Sequence, residues 1–187
     1  MLFKAEHVNM IKEGEKTATR RDWSRWQVKV DGRYPVQTEM FQKKEDCEAF
    51  IQVYNRYKEK FKDMDEEDVI KEGYSSLEEF KEVWKRINGE YPEPGQEIYV
   101  VEFEYIGPEI YKLLEDLETL DGIEWTCLLD KLPEYDHIMV QVRLSDFMSE
   151  PKTEEFMDLD SLREIRAHDS SRDQPLITYK IKIKEAE

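Results

Sequence analysis

The run Glu97–Ile106 (Glu-Ile-Tyr-Val-Val-Glu-Phe-Glu-Tyr-Ile) constrains the fold more than any other stretch. Ile98, Tyr99, Val100, Val101, Phe103 and Tyr105 are the β-branched and aromatic types that suit a pleated surface. Pro94-Gly95 before the run and Gly107-Pro108 after it are turn signals, and the second closes the first structural unit of the chain. A strand this apolar needs sheet partners and a covering layer. The alternation Tyr34, Val36, Thr38, Met40 against Pro35, Gln37, Glu39, Phe41 predicts one partner over 34–41. Residues 48–62 mix Phe50, Ile51, Val53, Tyr54, Tyr57 and Phe61 without a clean period, and their β-branched and aromatic content predicts a strand over 49–57.

Helices frame these strands. Phe3, Val8, Met10 and Ile11 supply the apolar positions of a short amphipathic helix that Gly14 stops. The carboxylates of Asp63, Asp65, Glu66, Glu67 and Asp68 sit where a helix N-terminus favours them, ahead of Val69, Ile70 and a stop at Gly73. Ser75 or Ser76 caps a longer helix, with Glu78 or Glu79 completing a capping box and Leu77, Phe80, Val83, Trp84 and Ile87 as its stripe. Asn88-Gly89 ends it. Beyond Gly107-Pro108 the pattern predicts a helix from Ile110 to about Leu120, strands near 124–129 and 138–144, a polar stretch with Pro151, a helix near 159–167 and a closing strand Leu176–Lys184. Nothing in this second part carries a catalytic signature, so a docking or self-association role is the expectation for it.

Charge is unevenly shared. The chain of 187 residues carries −16 overall, yet residues 1–62 hold 14 Lys plus Arg against 10 Asp plus Glu, and the remainder holds 14 against 34. Lys12, Lys16, Arg20, Arg21, Arg25, Lys29 and Arg33 crowd one segment, which can guide a phosphate or nucleotide or simply form a solvated face. Long duplex nucleic acid is a poor partner for such an acidic protein. Cys47 and Cys127 lie far apart, and neither they nor His7, His137 and His168 show metal-ligand spacing, so no metal or other cofactor is expected and both thiols read as reduced core groups. No run of eighteen apolar residues exists and the N-terminus has no signal-peptide layout. A cytoplasmic acidic protein without membrane attachment is the expectation.

Gly14-Glu15-Lys16-Thr17-Ala18-Thr19-Arg20-Arg21 places an ammonium, two hydroxyls and two guanidinium groups directly behind a helix stop. That set suits an anionic or carbonyl-bearing ligand. Trp23 and Trp26 follow, and offer either a stacking face for a base or filling for a small core, the commoner use of such tryptophans.

The order of elements, together with Gly14–Arg20, Lys71-Glu72-Gly73-Tyr74-Ser75-Ser76-Leu77-Glu78-Glu79-Phe80 and the strand Tyr99–Phe103, resembles the ASCH (ASC-1 homology) domains of the PUA-like superfamily over residues 1 to about 107. The resemblance implies an α+β fold: a small β-barrel with flanking helices and a cleft lined by the Lys-Thr-x-Thr-Arg segment, here followed by a C-terminal α/β extension over 108–187. It implies RNA, a nucleotide or a modified nucleoside as partner. Some ASCH proteins are amidohydrolases that deacetylate N4-acetylcytidine with a lysine, a threonine three residues later and a glutamate before the next helix, which match Lys16, Thr19 and Glu72. Others are linked to ribonuclease activity or plain nucleic-acid binding, and the insertion at Trp23–Trp26 and the added C-terminal residues set this chain apart from the small amidohydrolases.

The residue types fit that chemistry. A threonine hydroxyl needs a base to take its proton, and a partly desolvated lysine can serve. Glu72 would orient the lysine or exchange a proton with the leaving amine, while Arg20 or a backbone N–H would hold the oxyanion. Arg21 belongs with the ligand-binding groups. Residues three apart in a regular strand face opposite ways, so Lys16 and Thr19 meet only where the backbone bends, and Thr17 is the alternative hydroxyl. Three readings follow: a metal-independent hydrolase of an acylated nucleoside, a binding module for RNA or a nucleotide, and an interaction or oligomerisation protein.

Overall fold

Backbone pairing joins four strands into one antiparallel sheet in the order β1-β4-β3-β2, where β1 is Ala18–Arg21, β2 Arg33–Pro35, β3 Phe50–Lys60 and β4 Glu97–Ile106. The computed structural model describes residues 1–119, 123–132, 137–144, 165–169 and 174–182. The chain divides into two compact units, Met1–Pro108 and Glu109–Glu187.

In the first unit β4 is the central strand, paired with β1 from Ala18↔Glu102 to Arg21↔Tyr99 and with β3 over its whole length. Its apolar sequence earns that place, because Ile98, Val100, Val101 and Phe103 are all buried. The β3 ladder slips between Val53 and Asn55, a bulge that bends the sheet. The sheet does not close into the expected barrel: β1 and β2 are its two edges.

Helices α1 (Glu6–Glu13), α2 (Glu66–Lys71) and α3 (Leu77–Asn88) accompany the sheet. Phe3, expected in the first helix, precedes it and packs edge-on to Phe103 with ring centroids 5.7 Å apart. One core cluster gathers Phe3, Ile11, Val28, Val36, Ile51, Val53 and Phe103. A second joins Phe61, Met64, Val69, Phe80, Trp84 and Ile98, so α2 and α3 are held by aromatic stacking such as Phe61 on Phe80.

Two sequence expectations fail for physical reasons. The strand over 34–41 shrinks to Arg33–Pro35, with a single further bridge between Leu2 and Gln37. The Gln42 side chain takes the Thr38 N–H at 2.8 Å, while its carbonyl accepts from Gln37 Nε2, so the backbone donor that would extend the ladder is already satisfied. The helix near 159–167 is overturned at its end: Ile165–Asp169 is strand β7, paired antiparallel with β8 (Gln174–Lys182). Residues 159–164, like the stretch around Pro151, lie outside the described residues.

The second unit also departs from an α/β alternation. Helix α4 (Pro108–Glu118) is followed by an all-antiparallel sheet in the order β5-β6-β8-β7, with β5 at Ile123–Leu132 and β6 at His137–Leu144. Buried Thr126 on β5 ties the two together by donating its hydroxyl to the Leu114 carbonyl at 3.1 Å. Among the described residues no helix is long and apolar enough to cross a membrane.

Candidate functional site

Lys16 sits where it does because α1 ends abruptly. Gly14 adopts φ +75°, and the Met10 carbonyl accepts the N–H groups of both Glu15 (2.8 Å) and Lys16 (3.1 Å). Thr17 then donates its N–H to the Lys71 carbonyl at 2.9 Å and accepts from Phe103 N–H at 2.8 Å, threading the chain between the end of α2 and strand β4. Strand geometry starts only at Ala18. The bend that two residues three apart require is therefore present, and Lys16 and Thr19 line the same cavity.

Glu72 arrives from the other side. Asp65 caps α2 in a reciprocal box with Asp68, in which Asp68 N–H donates to Asp65 Oδ1 at 2.9 Å. The helix is closed by Glu72, whose N–H reaches the Asp68 carbonyl, and by Gly73 at φ +81°. A Cβ on Gly73 would stand 2.9 Å from Met10 Cε and 3.5 Å from Lys16 Cβ, so glycine serves both the turn and the close approach of α1.

The pieces meet in a buried charge cluster. Lys16 Nζ donates to Glu72 Oε2 at 2.6 Å and to the Glu72 carbonyl at 2.5 Å, with Lys16 only 2 % and Glu72 3 % exposed. The other carboxylate oxygen, Oε1, accepts the backbone N–H of Arg20. Thr19 is buried, and its Oγ1 accepts from Arg21 Nε at 3.1 Å. Burial is the main force lowering the Lys16 pKa below its ordinary value; Glu72 opposes it, and Arg21 and Arg20 add to it.

The two arginines both line the cavity but are held differently. Arg20 is committed within the protein: Nε donates to Glu59 at 2.6 Å, Nη1 to the Asp68 carbonyl at 3.3 Å, and Nη2 meets the Asp68 carboxylate at 2.7 Å as an ion pair. Burial pulls its pKa down, and Glu59, Glu72 and Asp68 more than offset that. This is an interior network, with Arg20 buried. Arg21, half-buried, is the guanidinium beside the Thr19 hydroxyl, tethered to the Leu2 carbonyl at 2.7 Å and laid over the Phe3 ring at 5.2 Å.

The cavity they share measures about 350 Å³. Lys16, Thr19, Arg20, Arg21 and Glu72 contribute polar groups, while Phe3, Phe80, Val83, Trp84 and Ile87 supply apolar wall, much of it from α3. Thr17, Trp23 and Trp26 do not line it. The tryptophans pack on the core and on Tyr99, with Trp26 edge-on at 4.7 Å and Arg56 over its other side at 4.8 Å. Among the lining residues that the sequence reading did not place at the site are His7 and Tyr74. His7 of α1 is buried and Tyr74 follows Gly73, their rings edge-on at 5.5 Å. Tyr74 stands inside the quoted Glu-Gly-Tyr segment, so its position was legible; a lone histidine on a short helix carries no spacing signal.

No protein-family model matches the chain, and no curated protein matches it. Among solved structures it is similar to the high-resolution crystal structure of the ASCH domain from Lactobacillus crispatus JV V101, at 15 % identity and a TM-score of 0.43, over 52 % of this chain and 68 % of that one.

Proposed function

We propose that residues 1–107 form an ASCH-type, PUA-like module whose cavity takes a modified nucleoside or nucleotide derived from RNA, and that it cleaves an acyl amide on the base, as carried by N4-acetylcytidine, without a metal. The observation that carries this reading is that Lys16, Thr19 and Glu72 line one cavity in which the lysine is almost wholly withdrawn from water. At about 350 Å³ the space lies in the small-molecule range of roughly 300–1,000 Å³. A planar base suits the mixture of aromatic wall and convergent polar groups.

The proton inventory supports Lys16 as base. In its neutral form the amine keeps two N–H groups for Glu72, through Oε2 and the main-chain carbonyl, and has one lone pair to take a proton. That lone pair takes the Thr19 proton as Oγ attacks the acyl carbon. The oxyanion so formed is stabilised by Arg21, whose Nε already donates to Thr19 Oγ1. Arg20, spent on Glu59 and Asp68, holds Glu72 through its backbone N–H instead. When the C–N bond breaks, the Lys16 ammonium returns the proton to the leaving exocyclic amine. Water, deprotonated by the same lysine, then attacks the threonyl ester, and the Lys16 ammonium returns that proton to Thr19 Oγ as the acid leaves.

The test is incubation with N4-acetylcytidine in EDTA. Wild type releases cytidine, and Lys16→Ala and Thr19→Val fall by roughly 10²-fold or more, the usual scale for losing a general base. Binding of N4-acetylcytidine by wild type without any cytidine release removes the hydrolytic step and leaves a binding module. Turnover that survives both substitutions removes the assigned residues.

A further inference from the structure

Two lining residues, His7 and Tyr74, pack through their rings and leave their polar atoms to the cavity. The His7 side chain, 6 % exposed, lines the cavity, and among the described residues its ring nitrogens take no hydrogen-bond partner; its ring meets the edge of Tyr74. The hydroxyl of half-buried Tyr74 likewise has no hydrogen-bond partner among the described residues. Polar atoms that open onto a cavity and lack a protein partner are those a ligand can pair with.

We propose that His7 and Tyr74 form an uncharged reading pair that hydrogen-bonds the polar edge of the nucleoside, fixing its pose against Lys16 and Thr19. A neutral imidazole offers one donor and one acceptor, and a phenol one donor, the complement that an amide-like base edge with adjacent N and C=O groups requires. The surroundings keep both groups uncharged. Burial, then Lys16, Lys4 and Arg21, hold the His7 pKa down at about 4 against a weaker pull from Glu6, and burial raises that of Tyr74. Neither group carries charge at neutral pH, so the pair recognises hydrogen-bond pattern rather than phosphate. The pair therefore suits the uncharged base edge of the ligand.

This inference rests on the functional reading above. His7→Phe keeps ring volume but removes both hydrogen-bonding atoms; His7→Gln keeps a donor and an acceptor; Tyr74→Phe removes only the hydroxyl. With N4-acetylcytidine as probe, His7→Phe raises KM tenfold or more with kcat little changed, His7→Gln recovers most of that loss, and Tyr74→Phe raises KM several-fold. A merely structural histidine would not be rescued by glutamine. Unchanged KM in folded His7→Phe, or His7→Gln as impaired as His7→Phe, overturns the assignment while leaving the hydrolase intact. Wild type that neither binds nor converts N4-acetylcytidine fails at the earlier step, and takes this assignment with it.

Discussion

Glu72 commits both carboxylate oxygens and its carbonyl to the segment Lys16–Arg20, and that is why a single residue decides whether the site exists. Breaking a buried pair by removing one partner leaves the other charge uncompensated, at a cost of about 3–5 kcal/mol. Glu72→Ala should lower the unfolding free energy by that order in urea titration, and the apolar pair Lys16→Met with Glu72→Leu should recover much of it; equal losses in both would show that the pair is not energetically coupled. His7 gives the site a pH signature. Its folded pKa lies at about 4 against an ordinary 6.5, so between those values the unfolded chain holds more protons and folding weakens as pH falls through the window. Above pH 6.5 the effect is fully relieved. Urea midpoints of wild type and His7→Gln should therefore diverge from pH 6.5 down to 4, with the variant showing the shallower fall, and parallel curves would contradict the depressed value. At this scale the sequence was informative where chemistry is written in short words: Lys16, Thr19 and Glu72 stand in segments that could be recognised. The network around Arg20 was not legible, because Glu59, one of the carboxylates that engage it, is supplied by a distant strand. His7 was missed because its packing depends on Tyr74, far away in sequence.

Elements that carry their own punctuation were readable. The Asp65 box, the Ser76 cap and the glycines at 14, 73 and 89 place α1, α2 and α3 within a residue or two of their sequence-predicted ends, because capping is settled by neighbours along the chain. β4 was readable for a different reason, a long β-branched run between two Pro/Gly turns. Strand β2 and strand β7 were not, since one is cut short by a side chain, Gln42, and the other exists through pairing with β8. The glycine turns make a testable contrast. Gly14 (φ +75°) and Gly73 (φ +81°) are both left-handed, so alanine at either position strains the backbone by about 1–2 kcal/mol. Around Gly14 the space is open, whereas at Gly73 the new methyl must also displace Met10 Cε. Gly73→Ala should then be the more destabilising in thermal unfolding and should raise KM, because Met10 packs over the Lys16 turn; in a double-mutant cycle with Met10→Ala the excess should vanish. Equal effects at the two glycines would mean that α1 does not pack on this turn as described.

Across the whole molecule, charge and site are separated in sequence. Every residue lining the cavity falls between Leu2 and Asn88, inside the unit Met1–Pro108. Residues 109–187 hold 10 Lys plus Arg against 20 Asp plus Glu, a large part of the acid surplus. A uniform negative field disfavours a polyanion far more than an uncharged nucleoside, and salt screens it over a Debye length of about 10 Å at 0.1 M. Two ligands therefore respond differently to removal of the second unit. Residues 1–108, which have two apolar clusters of their own, should turn over N4-acetylcytidine at the full-length rate, because nothing in the cavity is lost and the substrate carries no charge. The same truncation should tighten binding of a single-stranded RNA oligonucleotide containing that base, most strongly at low salt, with the difference shrinking as salt rises. Titrations of both ligands on both chains, with circular dichroism to confirm that the shorter one is folded, separate the possibilities. Loss of nucleoside turnover by a folded 1–108 would mean that the second unit contributes directly to the site. An oligonucleotide affinity unchanged at every salt concentration would mean that its acidity has no bearing on ligand choice, and would return it to the role of a surface for self-association, measurable as a mass above the monomer in light scattering.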